Sequence, residues 1–323
     1  MILKMIPATN LHASVICLGT APFGSSINET ESFKLLDSFV NAGGNFIDTS
    51  LNYADWACEI KGISEKTIGK WLKTRKNRGD IIVGTKGACP STDPRYFFRL
   101  SREDILSDLE QSLRNLETDV IDLYWLHRDD PTKPVEGIID VLDEQVRAGK
   151  IRFFACSNWT TKRIEEARLY AVNHGKHQFC ASQIMWSLAE PNQAVFLSDP
   201  TIVSMDDKTR HYHEQKNLAV VPYSSQANGF FSGQYRKDEL PNKPAIVENY
   251  FNDLNFDRLD RVMELSRQLD KPPSVISLAY LSSSQHGFPV FPIIGASNIK
   301  QLEESCLAGD VILDASAVRY LEM

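Results

Sequence analysis

Eight short apolar runs rich in β-branched residues restrict the fold of this chain more than any other feature. They are "VICLG" (15–19), "FIDTS" (46–50), "IIVGTK" (81–86), "IDLYWLH" (121–127), "IRFFACS" (151–157), "ASQIMW" (181–186), "LAVVPYS" (218–224) and "FPIIGAS" (291–297). Most lack polar/apolar alternation, the mark of a parallel strand covered on both faces. Helical patterns lie between them. In "SREDILSDLEQSLRNLET", Ser101 is placed to cap a helix and Asp104 to return the bond, while Ile105, Leu109, Leu113 and Leu116 share one apolar face. Gly149, after "IIDVLDEQVRA", supplies a stop before the run that opens at Ile151.

The strand–helix unit recurs about every 30–35 residues through the seventh run, and eight such units close into a parallel barrel. The expectation is an α/β fold, a (β/α)8 TIM barrel of eight parallel strands ringed by helices, with its active site at the C-terminal strand ends. One barrel can use all 323 residues. With no low-complexity linker to divide the chain, residues 1–323 are expected to form a single domain. The last interval is the longest, so an extended loop or helix insertion is expected at about 225–256.

Composition excludes several functional classes. A net charge of -7 disfavours nucleic acid as a partner. The absence of an apolar run of about 18 residues disfavours a membrane span, so a cytoplasmic protein is expected. The six cysteines are scattered without a C-x-x-C pair, and read as reduced core thiols. His211 and His213 in "HYH" do not share a helix face, so no metal is expected.

Chemistry is suggested by what closes the strands. Asp48 ends the second run and Tyr53 follows it, Lys86 ends the third, and His127 ends the fourth. Each residue alone is unremarkable, since strand-end charges are commonly solvated and a lone Tyr or His commonly packs. Together they form a proton-donating set. A free phenol titrates at about 10, and a nearby ammonium would lower that value while a carboxylate keeps the ammonium charged and oriented. An imidazole can donate to a carbonyl oxygen. Nothing in the set is redox-active, so a hydride must come from a bound cofactor, for which nicotinamide is the natural candidate.

With these residues in place, the chain resembles the aldo-keto reductase superfamily along nearly its whole length. "GGNFIDTSLNY" is similar to the family's G-x-x-x-x-D-T-x-x-x-Y segment, "VGTK" to its lysine strand, and "IDLYWLHRDDP" to its D-L-Y-x-x-H-x-x-x-P strand. The resemblance implies Tyr53 as general acid, Lys86 as its modulator, Asp48 as the partner of Lys86, and His127 as the orienting donor. It also implies a cofactor site without a G-x-G-x-x-G turn, which the chain lacks. Ser157, Asn158 and Gln183 would hold the nicotinamide carboxamide, Tyr223 would stack on the ring, and Thr20 and Asp48 would lie beside it. The loop "PYSSQANGFFSGQY", with Ser224, Gln226 and Gly229, would cover the pyrophosphate. "IIGASNIKQLEES" would approach the adenosine through Ser297, Gln301, Glu304 and Ser305, beside a helix start suited to an anion.

The chain departs from the family at Ser225, Gln226, Gln234, Gly295, Gln301 and Ser305. Gly295 and Gln301 stand where many members carry cations for a 2'-phosphate. With Arg236 or Lys300 as substitutes, NADP(H) remains the favoured cofactor and NAD(H) the alternative.

Phe23, Trp56, Trp125, Trp159 and Phe230, with Phe231, fall in or near predicted loops at the barrel mouth, where an aromatic substrate pocket is expected. The packing reading applies to each of them singly. Arg128 is open to either an anionic substrate or an ion pair with Asp129 or Asp130. The function implied is reduction of an aldehyde or ketone to an alcohol by hydride transfer from NAD(P)H, with reverse oxidation possible and a small molecule as partner. A nicotinamide-binding, redox-sensing regulatory subunit with slow turnover is the second reading. A sugar-phosphate isomerase is the third, and would call for a carboxylate base instead.

Overall fold

The computed structural model describes residues 1–91 and 97–323. It begins with a feature that the apolar runs do not announce, an antiparallel hairpin of β1 (Leu3–Met5) and β2 (His12–Ser14). Eight parallel strands follow: β3 (Cys17–Gly19), β4 (Phe46–Asp48), β5 (Ile82–Gly87), β6 (Ile121–Leu126), β7 (Ile151–Ser157), β8 (Ala181–Gln183), β9 (Ala219–Val220) and β10 (Ile293–Ile294). Each falls in one of the eight runs, β5 extending one residue beyond its run. They pair in the order β10-β3-β4-β5-β6-β7-β8-β9. Backbone bonds from Val220 N to Pro289 O (2.9 Å), Phe291 N to Val220 O (2.9 Å) and Ile293 N to Pro222 O (2.9 Å) join the two ends of that order. The architecture is the (β/α)8 fold.

The helices form where their local signals place them. Ser101 Oγ accepts from Asp104 N at 3.1 Å and caps the helix Arg102–Leu116, an interaction worth about 1 kcal/mol. Ile105, Leu109, Leu113 and Leu116 of that helix are all buried. Beyond the helix Val135–Arg147, Gly149 takes φ +75°, a left-handed conformation that glycine adopts without strain. Between β9 and β10 lie a distorted 3-10 segment (Ala227–Ser232) and helices Pro244–Tyr250, Asp253–Leu269 and Pro273–Ser282.

Two apolar layers explain why the strands look uniformly apolar. Cys17, Phe46, Leu123, Trp125, Ala155, Ala181, Ala219, Val221 and Phe291 cluster inside the barrel, with Ile6, Leu11 and Ala13 of the hairpin joining them. Leu18, Ile47, Val83, Tyr124, Leu126, Phe154 and Cys156 belong to the layer under the helices. Successive strand residues thus alternate between two buried environments rather than between core and water.

One glycine in that outer layer is tightly constrained. A Cβ at Gly87 would meet the Tyr124 hydroxyl at 1.9 Å and Asp108 Cβ at 2.8 Å. Gly87→Ala is therefore expected to destabilise the fold by about 3 kcal/mol. The Tyr124 hydroxyl is buried without a hydrogen-bond partner among the described residues, so Tyr124→Phe should be well tolerated and should recover part of the loss. Urea unfolding of the single and double variants measures both effects, and an equal loss with and without the hydroxyl would contradict the clash.

Candidate active site

Strand parity builds the site. Along β4, Phe46 faces the barrel interior, so Asp48, two residues on, projects inward at the strand's C-terminal end. By the same alternation Lys86 follows Gly84, His127 follows Trp125, Ser157 follows Ala155 and Gln183 follows Ala181. The interior of the barrel changes from apolar to polar at this one level.

Lys86 is the hub. Its Nζ lies 2.5 Å from Asp48 Oδ2, 2.8 Å from the Thr49 carbonyl oxygen and 2.9 Å from the Tyr53 hydroxyl. Asp48 and Lys86 are both fully buried, while Tyr53 and His127 are half-buried. Gln183 Nε2 donates to the other Asp48 oxygen at 3.0 Å. Tyr53 sits in a turn closed by its own N–H to Ser50 O (3.1 Å) and meets the Trp56 and His127 rings edge-on at 6.3 and 6.2 Å. The four residues read from the strand ends are thus one constellation.

Electrostatics refine the expected chemistry. Burial alone would lower the Lys86 ammonium, yet the charges and hydrogen bonds of Asp48 and Tyr53 outweigh it and hold the lysine above its ordinary value. The expected depression of the Tyr53 phenol does not prevail. Burial pushes it above 10 overall, although Lys86 pulls the other way. Tyr53 therefore keeps its proton, as a proton donor must. His127 is driven well below 6.5 by burial, then by Lys86 and Arg128, and is neutral. Its Nδ1 lies 3.3 Å from Ser50 Oγ.

These directions fix a pH dependence. Neutral His127 gains a proton only well below 6.5, and Tyr53 loses one only above 10. The kcat/KM for carbonyl reduction should therefore be flat between pH 6.5 and 10, as measured by nucleotide oxidation at limiting substrate. An inflection inside that window would contradict the assignment.

Around this set lies a second polar group. Asn158, at φ 57°, donates from Nδ2 to Ser157 Oγ (3.1 Å) and accepts from the Tyr223 hydroxyl (2.8 Å). Its backbone N–H bonds Gln183 O at 3.0 Å. Ser157, Asn158, Gln183 and Tyr223 are thus joined to one another and, through Gln183, to Asp48. Hydroxyl, amide donor and amide acceptor on one ledge beside a half-buried aromatic ring fit a planar carboxamide and its ring.

Farther along, Ser224, Ala227, Asn228 and Gly229 all have positive φ, a backbone form that turns N–H groups into an anion-binding concavity. Gln226 bridges outward, its Nε2 donating to Ser305 Oγ (3.1 Å) and its Oε1 accepting from Gly295 N (2.9 Å). Gln301 Oε1 accepts from Ser297 N at 2.9 Å, Asn298 caps the helix Ile299–Cys306, and Glu304 accepts from Ser274 Oγ. Gln226, Gln301, Glu304 and Ser305 are thus all engaged by protein partners in this structure.

The other residues singled out in the sequence are placed as follows. Thr20 is fully buried behind the strand, its Oγ1 donating to Asp48 O at 3.0 Å and meeting Ser64 Oγ at 3.1 Å. It braces Asp48 rather than facing a ligand. Of the expected pocket residues, Phe23 (1% exposed), Trp125 (0%), Trp159 (1%) and Phe230 (0%) are buried, whereas Trp56 is 69% exposed. Trp125 points into the barrel, where Gly84 leaves room for its indole. Trp159 packs on Phe179 at 5.0 Å. Phe230 sits in an aromatic cluster with Phe231, Tyr235, Phe251 and Phe256, and Phe23 belongs to the layer under the helices. Arg128 pairs with Asp199 (3.1 Å) and Thr201 (2.9 Å), not with its neighbours Asp129 or Asp130.

Sequence reasoning missed the supporting groups Thr49, Ser50 and Ser64. Thr49 and Ser50 lie in the same stretch as Asp48, but no spacing rule says that Thr49 would offer its carbonyl to Lys86 or Ser50 its hydroxyl to His127. Among the described residues, no group of three His, Cys, Asp or Glu side chains is placed to hold a metal ion. None of the helices there is long and apolar enough to cross a membrane.

A barrel with a buried lysine–carboxylate pair hydrogen-bonded to a tyrosine at its C-terminal mouth defines a class of carbonyl chemistry. The family model for the Aldo/keto reductase family matches residues 15–323, and the chain belongs to that family of oxidoreductases. An uncharacterized oxidoreductase of Bacillus subtilis, YrpG, is 27% identical, with 97% of this chain and 92% of the relative covered. The aryl-alcohol dehydrogenase [NADP(+)] of Phanerodontia chrysosporium is 28% identical, covering 98% and 84% respectively. The holo form of aldo-keto reductase AKR11C1 from Bacillus halodurans shares the fold at a TM-score of 0.74 and 22% identity, with 100% of this chain and 95% of that chain covered.

Proposed function

We propose that the protein reduces an aldehyde or ketone to an alcohol with NADP(H) as hydride source, Tyr53 supplying the proton, and that it does so in the cytoplasm. The observation that carries this reading is the 2.9 Å contact between Lys86 Nζ and the Tyr53 hydroxyl, made while Lys86 is also bound to buried Asp48. Nicotinamide, when bound, supplies the hydride. Ser157, Asn158 and Gln183 orient its carboxamide, and Tyr223 gives its ring a flat face. His127 and Tyr53 donate to the carbonyl oxygen, which polarises the bond. The Tyr53 proton then passes to the developing alkoxide, and Lys86 stabilises the phenolate left behind. Trp56, exposed beside Tyr53, offers a surface for an aromatic substrate. The similarity to the aryl-alcohol dehydrogenase [NADP(+)] of Phanerodontia chrysosporium supports an aryl substrate class and NADP(H).

The test is a fluorescence titration of the purified protein with NADPH and with NADH. Saturable binding of NADPH, tighter than that of NADH, is expected. Binding of neither would overturn the cofactor assignment. Binding without turnover of any carbonyl compound would favour the redox-sensing subunit.

A further inference from the structure

At the opposite end of the barrel from Tyr53, a cavity of about 480 Å³ opens among the N-terminal ends of β7, β8 and β9. The turn of the β1–β2 hairpin, at Pro7 and Ala8, forms one side of it. Its remaining walls come from strand starts, from the segment 176–180 before β8, and from the helices Val135–Arg147, Thr161–Asn173 and Asp207–Lys216. The active-site reading assigns this cavity no role.

Two features of the lining point to a ligand. Every formally charged side chain in the wall is basic: Arg152, Arg168, Lys176 and Lys216, with His177 beside them. The carboxylates that hold these groups stand outside the lining. Asp122 pairs with Arg152 at 2.7 Å, Glu165 with Arg168 at 2.8 Å and Lys216 at 3.3 Å, and Asp140 with Lys176 at 3.1 Å. Such backing fixes the heads in place without using all their donors. An ammonium has three, and among the described residues Lys216 makes one side-chain hydrogen bond, to Glu165.

The second feature is an aromatic surface. Phe153, Phe179 and Tyr212 line the same cavity, together with Leu218 and Ile164. Flat apolar faces beside convergent cations match an aromatic ring that carries an acidic group. We propose that this cavity is a second ligand site that takes a planar aromatic anion, an arene carboxylate, sulfonate or phosphate. The inference is independent of the reaction at Tyr53. Strands β7 and β8 run directly from this cavity to Ser157 and Gln183.

Calorimetric titration of the full chain with anilinonaphthalene sulfonate tests the site. Neutral N-phenylnaphthylamine serves as the uncharged counterpart. The anion should bind at one site, and the double variant K176Q/K216Q should weaken it about tenfold. Lys176 is half-buried and Lys216 exposed, and neither belongs to the apolar core clusters. Trp56→Ala, at the other face, should leave the affinity unchanged, and the neutral compound should bind much more weakly than the anion. The proposal is overturned by any of three results: no saturable binding, equal affinity of K176Q/K216Q and wild type, or equal affinity for the charged and uncharged compounds.

Discussion

Tyr53→Phe is expected to lower kcat for carbonyl reduction by about 10²–10⁴-fold, the usual contribution of a positioned general acid, while nucleotide affinity stays within about twofold of wild type. The ring remains where Trp56 and His127 hold it, at 6.3 and 6.2 Å. Lys86 keeps its contacts to Asp48 and to the Thr49 carbonyl, so the variant should lose only about 1 kcal/mol of stability. What disappears is the hydroxyl whose oxygen lies 2.9 Å from Lys86 Nζ, and with it the proton to be donated. Steady-state kinetics with an aromatic aldehyde, beside a nucleotide titration, measures both quantities. A rate near wild type would place the proton donor elsewhere.

Lys86→Met should damage both activity and stability. It removes the cation that opposes the upward push of burial on the phenol, so Tyr53 would hold its proton still more tightly. It also leaves the Asp48 carboxylate buried with only the neutral donors Gln183 and Tyr53 beside it. Stranding one member of a buried pair typically costs about 3–5 kcal/mol. The cost should depend on pH in a definite direction. Burial already raises the Asp48 carboxyl, and Lys86 is the leading group opposing that rise. In the variant, folded Asp48 therefore titrates further above the unfolded value of 3.8. The folded state then binds more protons than the unfolded state above that value, so the variant's stability falls as pH rises. Adding Asp48→Asn should restore much of the stability and none of the activity. Urea midpoints across pH for the single and double variants decide this. A double variant no more stable than Lys86→Met would show that the stranded charge is not the cause.

The sequence legibly carried the fold because each strand is a short apolar run covered on both faces, and because caps such as Ser101 and stops such as Gly149 bound the helices. That same double burial concealed which side of a strand faces inward. Trp125 and Tyr124 are adjacent and equally apolar in the sequence, yet one fills the barrel and the other packs beneath the helices. Trp125, expected at the pocket, is buried on β6 for this reason, whereas Trp159, Phe230 and Phe23 lie outside the strands and are buried by tertiary packing. Their partners lie in distant segments, as with Phe230 against Phe251 and Phe256. The hairpin of β1 and β2 is three residues per strand, too short for any periodicity to register. The direction of the Tyr53 shift was equally hidden, since desolvation depends on how deeply the tertiary fold seats the ring. Asp48, Tyr53, Lys86 and His127 were readable because strand ends are local features and their residue types are chemically distinctive.

The most direct test of the central claim is a single-turnover mixture of the purified protein, NADPH and 4-nitrobenzaldehyde. The account predicts oxidation of the bound nucleotide in step with appearance of the aryl alcohol, with both lost in Tyr53→Phe. Nucleotide that stays bound and reduced, with this aldehyde and with a wider set of carbonyl compounds, would contradict a reductase built on Tyr53 and Lys86.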